Sequence, residues 1–290
     1  MNKMLDCITV NTSDGHVFEM SISMVECDHS TPIILTIPAM GVPSKYYIPF
    51  LKKLNTLGLI ACCGELRGTC TSSLNPKNTD FGYLEIIEHD IPALIDKIRN
   101  IFPNNPIFLL GHSLGGQLSL LYSSIDKSHL SGVVVIASGS VYFKSYQFPM
   151  RYFVFMGTQL ATLISTFLGY FPGDKLKFGG LQPKGIINDW AYQSRTGNYK
   201  ISNSSTDFES KLCRLETDIL TVSIEDDQLA PLGAVEHLFD KLKTAKITHK
   251  RFELSQIYSR KKNTHFNWVK DSEGISILIF EWIYTKVLRK

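Results

Sequence analysis

The stretch Pro106-Ile107-Phe108-Leu109-Leu110-Gly111-His112-Ser113-Leu114-Gly115-Gly116-Gln117 reads as a buried strand, a sharp turn and the start of a helix. Ile107 to Leu110 form a short, unbroken apolar run, the pattern of a strand covered on both faces, and the run stops at Gly111. Gly111-His112-Ser113-Leu114-Gly115 then matches G-x-S-x-G, a strained strand-to-helix turn that projects a serine hydroxyl above the sheet. The glycines have a steric reason. The chain doubles back so tightly that side chains two before and two after the serine would meet the neighbouring strand and helix. Leu114, Leu118 and Leu121 recur at helical spacing, which predicts the helix that the turn must enter. A short string with three specified positions also arises by chance, so the predicted strand and helix on either side of it are what give it weight.

Upstream, Cys7 to Val25 alternates around Thr12-Ser13-Asp14-Gly15 and predicts a β-hairpin. Ile33 to Ile37 is a short apolar strand that ends at Pro38-Ala39-Met40-Gly41. Tyr47, Phe50, Leu51, Leu54 and Leu57 then mark a helix closed by Gly58. Leu59 to Cys63 predicts the next strand, followed by Glu65-Leu66-Arg67-Gly68. Ile87, Ile91, Leu94, Ile95 and Ile98 share one face of a helical region over 83–101, which Pro92 kinks or restarts. Downstream come a buried strand at Gly132 to Ala137, a strand at Ile219 to Ile224, a helix at 232–242, a strand at 246–254 and a last helix at 274–288. Strands alternating with amphipathic helices predict an α/β fold, with a mostly parallel central sheet and helices on both faces.

From Ser138 to Leu212 the rhythm breaks and no clear strand is visible. Tyr152 to Pro172 carries no charged residue, which is long enough to raise a membrane span. Against it stand Gly157, Thr158, Gln159, Thr162, Ser165, Thr166 and Gly169, while Leu160, Leu163, Ile164, Phe167, Leu168 and Phe171 fall largely on one side. The expectation is an amphipathic helical lid whose apolar face lines a pocket for an acyl or other apolar group, with transient membrane contact through the lid left open. The chain then divides into a first core segment 1–137, a lid insertion 138–212 and a second core segment 213–290.

A length of 290 residues, 44% hydrophobic and 20% charged, suits one large α/β domain with an insertion. The net charge of +3 is weak and dispersed, which argues against nucleic acid as a partner. The densest basic run, Arg260-Lys261-Lys262, reads as a solvated loop. Six cysteines occur without any C-x-x-C pair, and Cys62 and Cys63 adjoin each other in an apolar strand. Cys70 and Cys213 have no obvious partner, so reduced thiols in a cytoplasmic protein are expected. Met1-Asn2-Lys3-Met4-Leu5-Asp6 lacks the apolar core of a signal peptide, which points to the same location.

A serine hydroxyl is a poor nucleophile unless a histidine accepts its proton and a carboxylate orients that histidine. In enzymes built on this elbow the order along the chain is serine, acid, histidine. Asp227 is the expected acid, because Asp227-x-x-x-Pro231 places it in the loop after an apolar strand with Pro231 opening the next helix; Asp226 is its rival. Only His237, His249 and His265 follow the acid. His237 falls in a predicted helix and His249 in a predicted strand, whereas His265 lies in the loop Asn263-Thr264-His265-Phe266-Asn267-Trp268, where the base belongs. His112 is expected to pack beside the turn with its side chain away from the hydroxyl. The oxyanion needs two backbone donors, one from Leu114 after the nucleophile and one from the loop after the third strand, either Met40 or Val42.

These residues together resemble the α/β-hydrolase superfamily, and within it the serine aminopeptidase and monoacylglycerol-lipase-like group. Pro38-Ala39-Met40-Gly41 stands where the family has His-Gly-x-Gly, and Glu65-Leu66-Arg67-Gly68-Thr69-Cys70-Thr71-Ser72 where it has Asp-x-Arg-Gly-x-Gly-x-Ser. Gly111 to Gly116, Asp227-x-x-x-Pro231 and His265 follow in order. In this alignment Ala39 replaces the oxyanion-loop glycine, Met40 becomes the donor, Pro38 replaces a histidine and Cys70 a glycine. The resemblance implies hydrolysis of an ester, thioester or amide through an acyl-enzyme on Ser113, without metal or organic cofactor. The expected substrate is a small or medium carboxylic ester, or a thioester, with an apolar acyl part. The alternatives are an acyltransferase using the same acyl-serine and a catalytically silent binding protein. An aminopeptidase would need acidic residues in the lid to hold a substrate amine, and only Asp174 and Asp189 offer themselves between Ser138 and Arg195.

Overall fold

Short, nearly unbroken apolar runs build a central sheet whose inner strands are buried on both faces. The computed structural model describes residues 6–125, 130–253 and 264–287. The first five residues, the Arg260-Lys261-Lys262 run and Asn263 lie outside them. The strands are β1 (Asp6–Asn11), β2 (Val17–Ser23), β3 (Ile33–Ile37), β4 (Ile60–Gly64), β5 (Ile107–His112), β6 (Gly132–Ile136), β7 (Tyr170–Gly173), β8 (Gly180–Pro183), β9 (Asp218–Ile224) and β10 (Lys246–Phe252). Eight of them form the main sheet in the order β1-β2-β4-β3-β5-β6-β9-β10, while β7 and β8 pair with each other. β2 is antiparallel to both neighbours, and all other pairs in the main sheet are parallel.

The helices are α1 (Ile48–Thr56), α2 (Tyr83–Glu85), α3 (Ile91–Ile101), α4 (Leu114–Ile125), α5 (Met150–Leu168), α6 (Lys184–Thr196), α7 (Phe208–Cys213), α8 (Leu232–Phe239), α9 (Thr264–Asn267) and α10 (Glu273–Val287). Ile33, Leu35, Leu109 and Val133 meet Leu94, Ile98, Leu118 and Leu121 of α3 and α4 on one face of the sheet. Ile34, Phe108, Leu110 and Val134 meet Phe50, Leu54, Ile275 and Ile279 of α1 and α10 on the other. The restart expected at Pro92 takes the form of a π turn, Ile86–Asp90, after which Pro92 sits in the first turn of α3, where its missing N–H costs nothing. The connection from β3 runs outward to β4, while that from β5 runs to β6 on the opposite side. Such a reversal opens a crevice at the carboxyl ends of the two middle strands, the place where open α/β sheets bind ligands.

Between β6 and β9 lie α5, the β7–β8 hairpin, α6 and α7. The hairpin corrects the expectation of a region without strands: its two short strands contain glycine and proline and pair only with each other, so no alternation marks them. A second correction concerns α5. Its buried residues are Thr158, Ala161 and Ser165, and Thr158 Oγ1 donates to Ser194 Oγ of α6 at 3.0 Å. Small side chains let the two helices approach closely. The large apolar residues Leu160, Leu163, Phe167 and Leu168 consequently face outward, with Phe167 80% exposed, and do not line a pocket. Phe171 lies on β7 and is buried against Ala161 and Ile187. Among the described residues no helix is long and apolar enough to cross a membrane.

Candidate active site

Ser113 directly follows β5 with φ 54°, in the left-handed region that residues with a Cβ rarely occupy. Four backbone ties hold it there. Its N–H donates to the Ile136 carbonyl at 3.1 Å, and its carbonyl accepts from Ser138 Oγ at 2.6 Å and from the Gly116 and Gln117 N–H groups at 3.0 and 3.4 Å. A Cβ on Gly111 would stand 2.3 Å from the carbonyl oxygen of Gly115, and one on Gly115 would stand 2.1 Å from that of Ile37. Only glycine fits either position.

The fold brings Ser113, His265 and Asp227 into one line. His265 Nε2 is 2.9 Å from Ser113 Oγ, and His265 Nδ1 is 2.8 Å from Asp227 Oδ2. The other carboxylate oxygen, Asp227 Oδ1, accepts from the N–H groups of Leu229 and Ala230, each at 2.9 Å, which fixes the plane of the carboxylate. A carboxylate only accepts, so Nδ1 carries the imidazole proton and Nε2 turns its lone pair to the serine. Asp226, the rival acid, is exposed at φ 55°. His265 sits on the single helical turn α9, not in an open loop as expected, and Tyr46 Oη donates to the adjacent Phe266 carbonyl at 3.0 Å. His237 and His249 bond Ser140 and Ser223 instead, each at 2.8 Å.

Leu114 and Met40, the two residues named as backbone donors, line the same cavity as Ser113. Leu114 opens α4, where the first N–H groups have no carbonyl within their own helix. Across the site, the Val42 N–H closes a turn onto the Ala39 carbonyl at 3.0 Å, and the Ala39 N–H donates to Tyr47 Oη at 2.9 Å. Of the two donors offered by the sequence, Val42 is thus engaged, while the Met40 N–H bonds no described residue. Gly41 turns this loop at φ 66°, and a Cβ there would be 2.2 Å from the carbonyl oxygen of Gly179, so the end of the β7–β8 hairpin rests directly on the loop.

Ser113, His265, Met40 and Leu114 line a cavity of about 420 Å3 whose wall continues through Phe153, Val154, Ala161 and Trp190. Lys177 is on the wall, and no described carboxylate is. Asp189 is buried elsewhere, accepting from the Tyr83 N–H at 2.9 Å, the Ser202 N–H at 2.8 Å and Ser202 Oγ at 2.6 Å. Burial raises its carboxyl above the usual range. Asp174 is exposed and off the wall. Neither acid can hold a substrate amine in the cavity.

Tyr47 and Ser138 were not singled out from the sequence. Tyr47 appears there only as one point on an apolar helical face. The available signal was the hydroxyl itself, because a tyrosine read as buried needs a hydrogen-bond partner.

A family model described as serine aminopeptidase, S33, matches residues 28–254. Monoglyceride lipase of Mus musculus is 38% identical over 53 residues, 18% of either chain. That of Homo sapiens is 33% identical over 52 residues, 18% of this chain and 17% of the other. The chain therefore spans under a fifth of the length of the curated relatives it matches. Over the whole fold, a soluble variant of monoglyceride lipase from Saccharomyces cerevisiae has a TM-score of 0.71 at 15% identity, covering 98% of this chain and 96% of that one. Est1E from Butyrivibrio proteoclasticus has a TM-score of 0.61 at 13% identity, covering 97% and 99%. These likenesses, with the mostly parallel sheet and its helical layers, establish the α/β-hydrolase fold. Matched by the family model over most of its length, the chain belongs to the serine aminopeptidase S33 family of α/β hydrolases.

Proposed function

We propose that the protein is a serine hydrolase that cleaves a carboxylic ester with an apolar acyl part through an acyl-enzyme on Ser113. The observation that carries this is the Ser113–His265–Asp227 line, at 2.9 and 2.8 Å, opening into a cavity walled mainly by apolar side chains. Ser113 Oγ attacks the ester carbonyl carbon while its proton passes to His265 Nε2. The carbonyl oxygen becomes an oxyanion that the N–H groups of Leu114 and Met40 stabilise. Collapse breaks the bond to the alcohol, which leaves with the proton from His265. Water then gives a proton to Nε2 and attacks the acyl carbon, releasing the acid and restoring the serine. Side chains, backbone N–H groups and water carry every step.

Residues 138–212 act as the lid in this reading, since Phe153, Val154 and Ala161 supply much of the cavity wall. A cavity of about 420 Å3 suits a small-molecule ligand with an acyl chain of moderate length. The absence of a carboxylate among the described wall residues favours an ester over a peptide with a free amine. The names of the monoglyceride lipases matched locally support the same choice. The six free thiols fit a reducing, cytoplasmic setting. A panel of p-nitrophenyl esters from acetate to palmitate, run beside aminoacyl amides, tests the substrate class. Turnover is expected to peak at an intermediate acyl length, and faster cleavage of the aminoacyl amides would reverse the assignment.

The outward row on α5 supports transient contact between the lid and a lipid surface. Met156 and Phe167 are 64% and 80% exposed there. Wild type is expected to sediment with phosphatidylcholine vesicles, and the double variant Met156→Ser and Phe167→Ser to stay in the supernatant while still hydrolysing soluble esters. Wild type remaining in the supernatant would remove the membrane as a partner.

A further inference from the structure

Beneath the site runs a second line of hydrogen bonds that these steps do not use. The Ala39 N–H donates to Tyr47 Oη at 2.9 Å, Tyr47 Oη is 2.7 Å from His112 Nδ1, and His112 Nε2 is 2.8 Å from the main-chain carbonyl oxygen of His265. Tyr47 and His112 are both completely buried. The line begins one residue before Met40, passes the residue before Ser113 and ends on the residue that carries the imidazole.

Its polarity follows from which atoms can donate. The His265 carbonyl only accepts, so His112 Nε2 carries the proton. Nδ1 is then a lone pair that accepts from the Tyr47 hydroxyl, and the hydroxyl oxygen accepts from Ala39. Every member is satisfied. The other tautomer would set a nitrogen lone pair against a carbonyl oxygen at 2.8 Å and leave the Tyr47 proton without an acceptor, which is costly in a buried network. Trp268 Nε1–H points at the same Nε2 from 3.3 Å and would favour a lone pair there. The shorter 2.8 Å contact to the His265 carbonyl, together with the Tyr47 proton that needs Nδ1 as acceptor, outweighs it and leaves the indole N–H as the weaker, competing donor. Burial, followed by the positive charge of His265, holds the His112 imidazole well below its ordinary range, and the ring stays neutral when His265 takes the serine proton.

We infer that Tyr47 and His112 are positioning residues of the hydrolytic reaction. They tie the Ala39–Met40 loop to the main chain of His265, so that the Met40 N–H and the His265 imidazole keep a fixed separation around the Ser113 hydroxyl. The need for such a tie is local: Pro38 has no N–H to give, so the Ala39 N–H is the first donor by which the loop can be anchored. This role rests on the hydrolase proposed above.

Tyr47→Phe removes the hydroxyl and keeps the ring. It is expected to lower kcat for a p-nitrophenyl ester on the order of 10- to 100-fold with little change in KM, because a misaligned donor weakens the transition state and not substrate binding. Fluorophosphonate labelling should slow by a similar factor. His112→Gln keeps a donor near the Nε2 position and should retain more kcat than His112→Ala. A Tyr47→Phe enzyme within about twofold of wild type overturns the role. So does a loss confined to KM, or one that tracks a fall in Tm and disappears on cooling. A second readout is independent of turnover: imidazole nitrogen NMR shifts should show wild-type His112 as the neutral Nε2–H tautomer between about pH 5 and pH 8. An Nδ1–H or titrating His112 overturns the inference even in an active enzyme. The expected tautomer in a wild type that turns over no ester sinks the hydrolase itself, and the positioning role with it.

Discussion

Ser113→Ala is expected to abolish fluorophosphonate labelling and to lower kcat on p-nitrophenyl esters by on the order of 10⁶-fold, with the folded state intact. The size of the loss follows from chemistry that no neighbour can supply. Without Oγ there is no acyl-enzyme, and the two backbone donors and the cavity leave only the modest rate that binding and oxyanion stabilisation give on their own. The fold should survive because everything that holds residue 113 at its positive φ is main chain or comes from another residue: its N–H to Ile136, and its carbonyl to Ser138, Gly116 and Gln117. Alanine keeps all of these. The paired measurement is intact mass after labelling together with Tm. A variant that retains about a hundredth of wild-type kcat would mean that another group is the nucleophile.

The second large effect is expected at the acid. Asp227→Asn should lower kcat by on the order of 10⁴-fold with little loss of stability, while Asp226→Asn leaves activity near wild type. Asp227 faces three donors: the N–H groups of Leu229 and Ala230 on Oδ1, and His265 Nδ1–H on Oδ2. An asparagine has one acceptor oxygen. If that oxygen keeps the two backbone N–H groups, the amide NH₂ faces His265 and drives the proton from Nδ1 to Nε2, where it blocks uptake of the serine proton. If the amide flips, its NH₂ meets two backbone donors instead. The flip would keep the Nδ1–H tautomer only by setting an NH₂ against two backbone donors, so the first arrangement, which loses the tautomer that the line requires, is the favoured one. Asp226 is exposed and lacks this role, so the contrast between two adjacent substitutions separates the two acids that the sequence left open. Equal losses at both positions would contradict the arrangement.

What the sequence determined by itself is what neighbouring residues encode. The four-residue apolar run before Gly111, the leucines after Ser113 and the alternating strand and helix periods each reflect burial along a few turns of chain, and they account for the sheet and the elbow. The chain order of Ser113, Asp227 and His265 was legible as well, whereas the helical turn that carries His265 was read as a loop. Other features were decided only by tertiary structure. His265 lies 152 residues from Ser113 and 38 from Asp227, and no local pattern carries a distance across such separations. That Asp227 is buried and Asp226 exposed follows from the loop after β9, where Asp226 takes φ 55° and Asp227 meets the Leu229 and Ala230 N–H groups. The engagement of the Val42 N–H, where the Met40 N–H bonds no described residue, depends on the turn onto Ala39. α5 shows the limit most clearly: its periodicity marks an apolar side, but the close approach of α6 selects Thr158, Ala161 and Ser165 for burial and turns the larger residues to solvent. The Tyr47–His112 line is likewise a product of packing, because α1's approach to the sheet brings together a hydroxyl and an imidazole that are 65 residues apart in sequence. Periodicity records which residues avoid water, and only the packed fold records what each of them meets.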